Sequence, residues 1–103
     1  MPRSAEIRFA ADHATATGHF PGNPIIPGAL LLDEIVHAIT GHADNGRTIL
    51  IRSAKFFRPV RPGESILLQW HSLADGAISF ECHVTDQGDL AARGMVEIDR
   101  LPR

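Results

Sequence analysis

Cysteine is almost absent from this chain: Cys82 is the single one among 103 residues. No intramolecular disulfide can form, and no cysteine-based metal site either. Nor is there an excess of positive charge, with ten Lys and Arg against twelve Asp and Glu and a formal net charge of -2. That balance excludes a nucleic-acid partner of the ordinary basic kind. The nearest thing to a basic patch is Arg52, Lys55, Arg58 and Arg61, interrupted by apolar residues; near a pocket mouth it would attract an acidic carrier protein or a phosphate. Long apolar runs are missing too. The richest stretch, Ala29 to Leu32 with Ile35, Val36, Ala38 and Ile39, is too short and too interrupted to span a bilayer. The first residues, Met-Pro-Arg-Ser-Ala-Glu, hold no signal-like apolar segment, so a cytoplasmic location is expected. His13, His42, His71 and His83 are scattered without metal-like spacing, and no metal is expected.

What is present fits one domain over residues 1–103. A domain of this size buries a modest share of its surface, and a ligand tunnel would weaken its core further, so a homodimer or a higher even oligomer is expected. Residues 5–11 read as a short strand with Ile7 and Phe9 pointing one way. Residues 14–24 are rich in Thr, Gly, Pro and Asn and read as loop. Pro27-Gly28 then opens a helix over 29–40, with Gly41 as its stop. Its apolar residues fall almost all the way round, which predicts a helix buried on most sides. Residues 48–57, 65–73, 77–85 and 90–98 read as strands, and Asp75-Gly76 marks a hairpin. Trp70 and the strand phenylalanines read as core. One buried helix followed by an antiparallel meander is an α+β layout, satisfied by a curved sheet wrapped around the helix. A ferredoxin-like fold would need a second long helix.

The informative segment runs from Gly18 to Gly41, and within it stands His19-Phe20-Pro21-Gly22-Asn23-Pro24-Ile25-Ile26-Pro27-Gly28-Ala29-Leu30. This run resembles the active-site signature of the β-hydroxyacyl-acyl carrier protein dehydratases. There a His-Phe-Pro-Gly or close variant precedes Pro, an apolar pair, Pro-Gly and a helix carrying an acid. The later segment from Phe56 to Glu64 (Phe-Phe-Arg-Pro-Val-Arg-Pro-Gly-Glu) is similar to that family's strand and turn after the helix. The resemblance covers roughly residues 18–72. It implies the hot-dog fold, an antiparallel sheet around one central helix, and dehydration of 3-hydroxyacyl thioesters to trans-2-enoyl thioesters. It also implies a homodimer in which each site takes its histidine from one chain and its acid from the other. No metal or nucleotide cofactor is implied; the substrate arrives on the phosphopantetheine arm of acyl carrier protein or on coenzyme A.

Carried over residue by residue, the histidine is His19 and the carboxylate is Asp33, where the elongating branch has Glu and the isomerising branch Asp. His37 stands where the family often has Gln. The chemistry matches these residue types. Loss of a proton from C2 needs a base, and neutral His19 suits that role. Departure of hydroxide from C3 needs a proton donor, and Asp33, held in an apolar helix, would serve directly or by orienting water. Charge gathering on the thioester oxygen suits the free N–H groups of a helix start, where Gly28 permits close approach and Phe20, Pro27 and Ala29 flank it.

Each assignment has a structural competitor. His19 would otherwise be a loop histidine bonded to backbone. Asp33 would be paired with His37 one turn on. Glu34, about 100° round the helix, rivals Asp33 for the acid role but reads as a solvated or interface residue. The helix start is expected to put Asp33 on the face shared with the Ile26 loop and His37. Two functional rivals remain: a thioesterase of the same fold, which has no need of His19 in a Pro-Gly loop, and a non-catalytic acyl-binding or partner subunit.

Overall fold

The computed structural model describes residues 3–9, 25–41, 48–86 and 88–99. Five strands and one helix follow in the order β1 (Arg3–Arg8), α1 (Gly28–Thr40), β2 (Thr48–Phe56), β3 (Ser65–Ser72), β4 (Ala77–Val84) and β5 (Leu90–Asp99). The strands form one sheet in the order β1-β3-β4-β5-β2, every neighbouring pair antiparallel. The α+β class is as expected, but the expected meander holds only for β3, β4 and β5, since β2 pairs with β5 and not with β3. The first strand begins earlier than the sequence implies, at Arg3, because Arg3 to Arg8 pair in unbroken register with Trp70 to Ser65. Ile7 and Phe9 are both buried, as their alternation predicts.

Alternation also sorts the central strands. Ile66, Leu68, Phe80, Cys82, Val84 and Val96 point to one face and are buried, whereas Gln69, Glu81 and Arg93 line up on the other. A register shift between Cys82 and His83 inserts an extra residue into β5, so Ala91 and Ala92 are buried in succession. Gly94 is required where it stands. A Cβ there would run into the Ser53 carbonyl oxygen and come within 2.9 Å of the Phe80 ring. Between β3 and β4 the predicted hairpin closes through a short 3₁₀ turn, Ala74–Gly76. Gly76 takes φ 77°, and the Leu73 N–H donates to the Ala77 carbonyl at 2.7 Å.

Helix α1 starts and stops as the sequence predicts. Pro27 caps it, and Gly41 closes it in the left-handed region, its N–H donating to the His37 carbonyl. Its burial departs from expectation. Only Leu31 and Ile35 are fully buried; Leu30, Leu32, Val36, Ala38 and Ile39 are half-covered, and Ala29, Asp33 and His37 are exposed. One chain supplies one sheet face, which seals a single stripe of the helix and leaves the rest open. The phenylalanines also divide. Phe9 and Phe80 are core, but Phe56 and Phe57 are about half exposed, at 48% and 50%. They end β2, an edge strand, where no further strand covers them. Trp70 packs partly buried against the core.

Candidate active site

The start of α1 forms the base of the site. Pro27 sits at φ -57° and ψ 142°, and its carbonyl accepts hydrogen bonds from the N–H groups of Leu30 and Leu31, each at 3.0 Å. No side chain caps this end, and the first turn carries no acid. The N–H groups of Gly28 and Ala29 precede any intrahelical acceptor, and the positive end of the helix dipole lies there. A cleft of about 380 Å³ opens beside it, lined by Ile25, Ile26, Gly28, Leu31, Phe56 and Val60 among others. Gly28 is needed for the fit: a Cβ there would stand 3.2 Å from the Phe56 ring.

The second motif, Phe56 to Glu64, holds this cleft in shape. Ile26 N–H donates to the Val60 carbonyl at 2.7 Å, pinning the entry to the helix against the segment after β2. The Arg58 guanidinium donates to both Glu64 carboxylate oxygens, at 3.0 and 3.3 Å, and the Arg61 N–H donates to the same carboxylate at 2.7 Å. Asp89 approaches Arg58 at 3.9 Å from the start of β5. Gly63, at φ 90°, donates its N–H to the Phe9 carbonyl at 2.8 Å and ties the turn to the end of β1. The expected basic patch is therefore half neutralised by local acids, since Arg52 also pairs with Glu97 at 2.7 Å. Arg93, brought in by β5, places its guanidinium 5.6 Å from the centre of the Phe57 ring. Sequence reasoning missed Phe56 and Phe57 as parts of the cleft wall, and Arg93 as the group stacked on Phe57. Two adjacent phenylalanines at a strand end were the available signal, because alternation can bury only one of them.

The residue expected to be the acid does not line this cleft. Asp33 lies on the outward face of α1 with its side chain 59% exposed, and the chain by itself does not bury it. His37 follows one turn later, its Nε2 3.8 Å from Asp33 Oδ1, so the competing pair role is physically available. Of the two neighbours expected on the Asp33 face, His37 is exposed with it, whereas Ile26 is buried, at 4% exposure. Glu34, expected to be a solvated or interface residue, is half-buried and thus better covered than Asp33. Of the residues expected to bind substrate, Gly28 lines the cleft; Pro27 stands at the N-cap of the helix, and Ala29 faces outward with Asp33. His19 and Phe20 lie outside the described residues. One trio among the described residues, Asp33, Glu34 and His37, brings ligand-type atoms within 4.8 Å of one another. Two of the three are exposed and all come from one helix, which leaves a cation without a closed coordination sphere. No helix among the described residues is long and apolar enough to cross a membrane.

A five-stranded antiparallel sheet in this order, packed on one helix whose N-terminus opens onto an apolar cleft, defines a hot-dog domain. Solved structures agree on the fold. The dehydratase heterocomplex ApeI:P from Xenorhabdus doucetiae superimposes with a TM-score of 0.78 at 24% identity, over 96% of this chain and 88% of that one. The (R)-hydratase from A. caviae involved in PHA biosynthesis does so with a TM-score of 0.65 at 19% identity, over 99% and 95%. In sequence, the family model of the ApeI-like proteins, described as ApeI dehydratase, matches residues 3–95. The chain belongs to the ApeI-like dehydratase family. It is also similar to the 3-hydroxyacyl-[acyl-carrier-protein] dehydratase FabZ of Ehrlichia chaffeensis, 33% identical over 77% of this chain and 61% of that one. The FabZ of Thermus thermophilus is 35% identical over 78% and 57%. The chain thus spans a little over half the length of these curated relatives.

Proposed function

We propose that this chain dehydrates 3-hydroxyacyl thioesters to trans-2-enoyl thioesters, as a homodimer with sites shared between two copies. The observation that carries this reading is the apolar cleft ending on the uncapped start of α1, beside the Gly28 N–H. An acyl chain fits its walls, and a thioester oxygen suits its end. In this reading His19 removes the C2 proton as the C3–O bond breaks and the C2–C3 double bond forms. Asp33 gives a proton to the departing hydroxide, which leaves as water. The N–H groups of Gly28 and Ala29 stabilise charge on the thioester oxygen. His19 then loses its proton to solvent, and Asp33 regains one. No cofactor is required beyond the phosphopantetheine of acyl carrier protein or coenzyme A that brings the substrate. The FabZ names of the relatives support the carrier-protein form, and the setting would be cytoplasmic acyl-chain synthesis.

The outward position of Asp33 supports a shared site. An acid turned away from its own cleft serves best in the cleft of a neighbour. The edge strand β2, with Leu50 and Ile51 48% and 45% exposed, offers the surface along which two sheets would join. The test uses two inactive variants, His19→Ala and Asp33→Ala, denatured together and refolded. Random pairing makes about half the dimers mixed, each with one intact site of two, so about a quarter of wild-type dehydration should return. A silent mixture, with mixed dimers confirmed by mass, would sink the shared site.

A second reading makes this chain one member of a hetero-pair. The likeness to the ApeI:P heterocomplex favours it, and the outward Asp33 would serve a different partner equally well. Enoyl absorbance from the purified chain alone supports the homodimer; activity only after addition of a second hot-dog chain supports the hetero-pair. Release of free thiol without enoyl formation would instead point to a thioesterase.

A further inference from the structure

Gly28 opens α1 with no left-handed backbone angle to require a glycine, and glycine is a poor helix former. What its missing Cβ supplies is room, and one residue uses that room. The three atoms nearest the Cβ position are the far end of the Phe56 ring, at 3.2, 3.4 and 3.5 Å. The sheet aims the ring there. Phe56 stands opposite Ala92, Ala92 opposite Cys82, and Cys82 opposite Leu68. Residues paired directly across strands point to the same face, and the other three of this row are buried, at 1% exposure or less. Phe56 ends the row on the edge strand β2, so its ring reaches the helix start while half of the residue stays exposed. The ring tip and the Gly28 N–H therefore border the same small space. A carbonyl oxygen that accepts from this N–H brings its carbon into that space, and C2 one bond further on.

We propose that Phe56 is a specificity-determining residue: its ring, seated on Gly28, closes the space beside C2 and admits acyl chains that are unbranched at that carbon. This inference rests on the dehydratase reading and narrows its substrate class. C2 of a 3-hydroxyacyl thioester carries two hydrogens. One leaves as a proton. The other faces the ring, where a hydrogen fits and a methyl group does not. The acyl side of the thioester is the side that meets the ring, because Ile25, Ile26, Leu31 and Val60 continue the apolar wall from it. The protein's own half of the contact shows the same limit: one carbon added at Gly28 would already press on the ring.

The experiment compares kcat/KM on an unbranched 3-hydroxyacyl-coenzyme A with that on its 2-methyl counterpart, each C2 epimer separately. The proteins are wild type, Phe56→Leu, Phe56→Ala and Phe57→Leu. A ratio of two rates within one protein cancels any general damage. Wild type should favour the unbranched chain over the better epimer about 10–200-fold, the range for one extra carbon in an apolar site. Phe56→Leu should bring that preference within about fivefold, and Phe56→Ala closer still. Phe57→Leu should keep the wild-type ratio, since that ring meets the Arg93 guanidinium. Calorimetry measures dissociation constants for the amide analogues of butyryl- and 2-methylbutyryl-coenzyme A, which have no hydroxyl to lose and no thioester to cleave. They should show the same preference and the same loss of it. A wild type that takes both chains equally overturns the proposal. So does a preference that survives Phe56→Ala, or one that Phe57→Leu abolishes as fully. Failure of the dehydratase reading looks different: neither thioester gives an enoyl product, and the amide dissociation constants then decide whether the ring excludes the branch.

Discussion

The two faces of α1 are built from the same thirteen residues and do opposite things. Leu31 and Ile35, 2% and 0% exposed, close onto the sheet with Ile66, Leu68 and Phe80. Half a turn away, Ala29, Asp33 and His37 face out, and nothing in the described residues covers them. The sheet side holds the domain together through area removed from water, which tolerates no polar group. The outward side contributes little to that and is free to carry chemistry. Under the proposed function, one helix would separate stability from chemistry by rotation alone.

Substitutions on the two faces test that separation directly. Asp33→Asn should lower the dehydration rate roughly 10²–10⁴-fold while shifting unfolding free energy by no more than about 0.5 kcal/mol. Glu34→Gln should be mild in both assays; the reverse pattern would mean that the helix presents the neighbouring carboxylate to the substrate. Ile35→Ala should do the opposite of Asp33→Asn, costing about 2–5 kcal/mol of stability through the cavity it leaves. At a temperature where it remains folded, its specific rate should stay near wild type. A stable, inactive Ile35→Ala would break the comparison.

A smaller effect sharpens it from the buried side. Cys82 lies in the sheet-facing core, and burial pushes its thiol up from 9.0 to about 12. Below pH 9.0 both folded and unfolded chains keep the proton, and the thiol adds no pH dependence. Between there and about 12 the unfolded chain releases it while the folded one does not, so stability should decline as pH rises. The decline from this group is at most about 1.4 kcal/mol per pH unit. Denaturant titrations above pH 9.0 should find that fall in the wild type and a flatter profile in Cys82→Ala. An identical slope in both would show that the thiol is not shielded.

Much of this architecture is legible in the sequence, for identifiable reasons. The ends of α1 were marked by Pro27 and Gly41, and the strands by alternation between clear turn residues such as Asp75-Gly76. Those signals are local, so one sequence contains them in full. What escaped was set at long range. The helix reads as buried all round because sequence cannot tell burial by one's own sheet from burial by another chain. Phe56 and Phe57 read as core because nothing local says that β2 is an edge strand. At the candidate site, the Pro27-Gly28 start and the Asp33–His37 pair could be read from spacing, whereas Arg93 reaches Phe57 only through the pairing of β5 with β2. His19 stands on the motif that contains it, outside the described residues.

The strand order also has a meaning in time. β3, β4 and β5 follow one another in the chain and lie side by side, so short loops suffice to bring them together. The outer strands are different: Arg3 stands opposite Trp70, and Thr48 opposite Asp99. Closing those long loops costs more entropy, and folding rates follow that cost. The central meander is the cheap part of the structure to assemble, and β1, β2 and the helix between them are the expensive part. The cleft is made of that expensive part, from Gly28 on the helix and Phe56 at the end of β2. On this topology the central meander is expected to pair before the cleft takes shape. The same order in reverse lets the working end loosen while the meander stays intact.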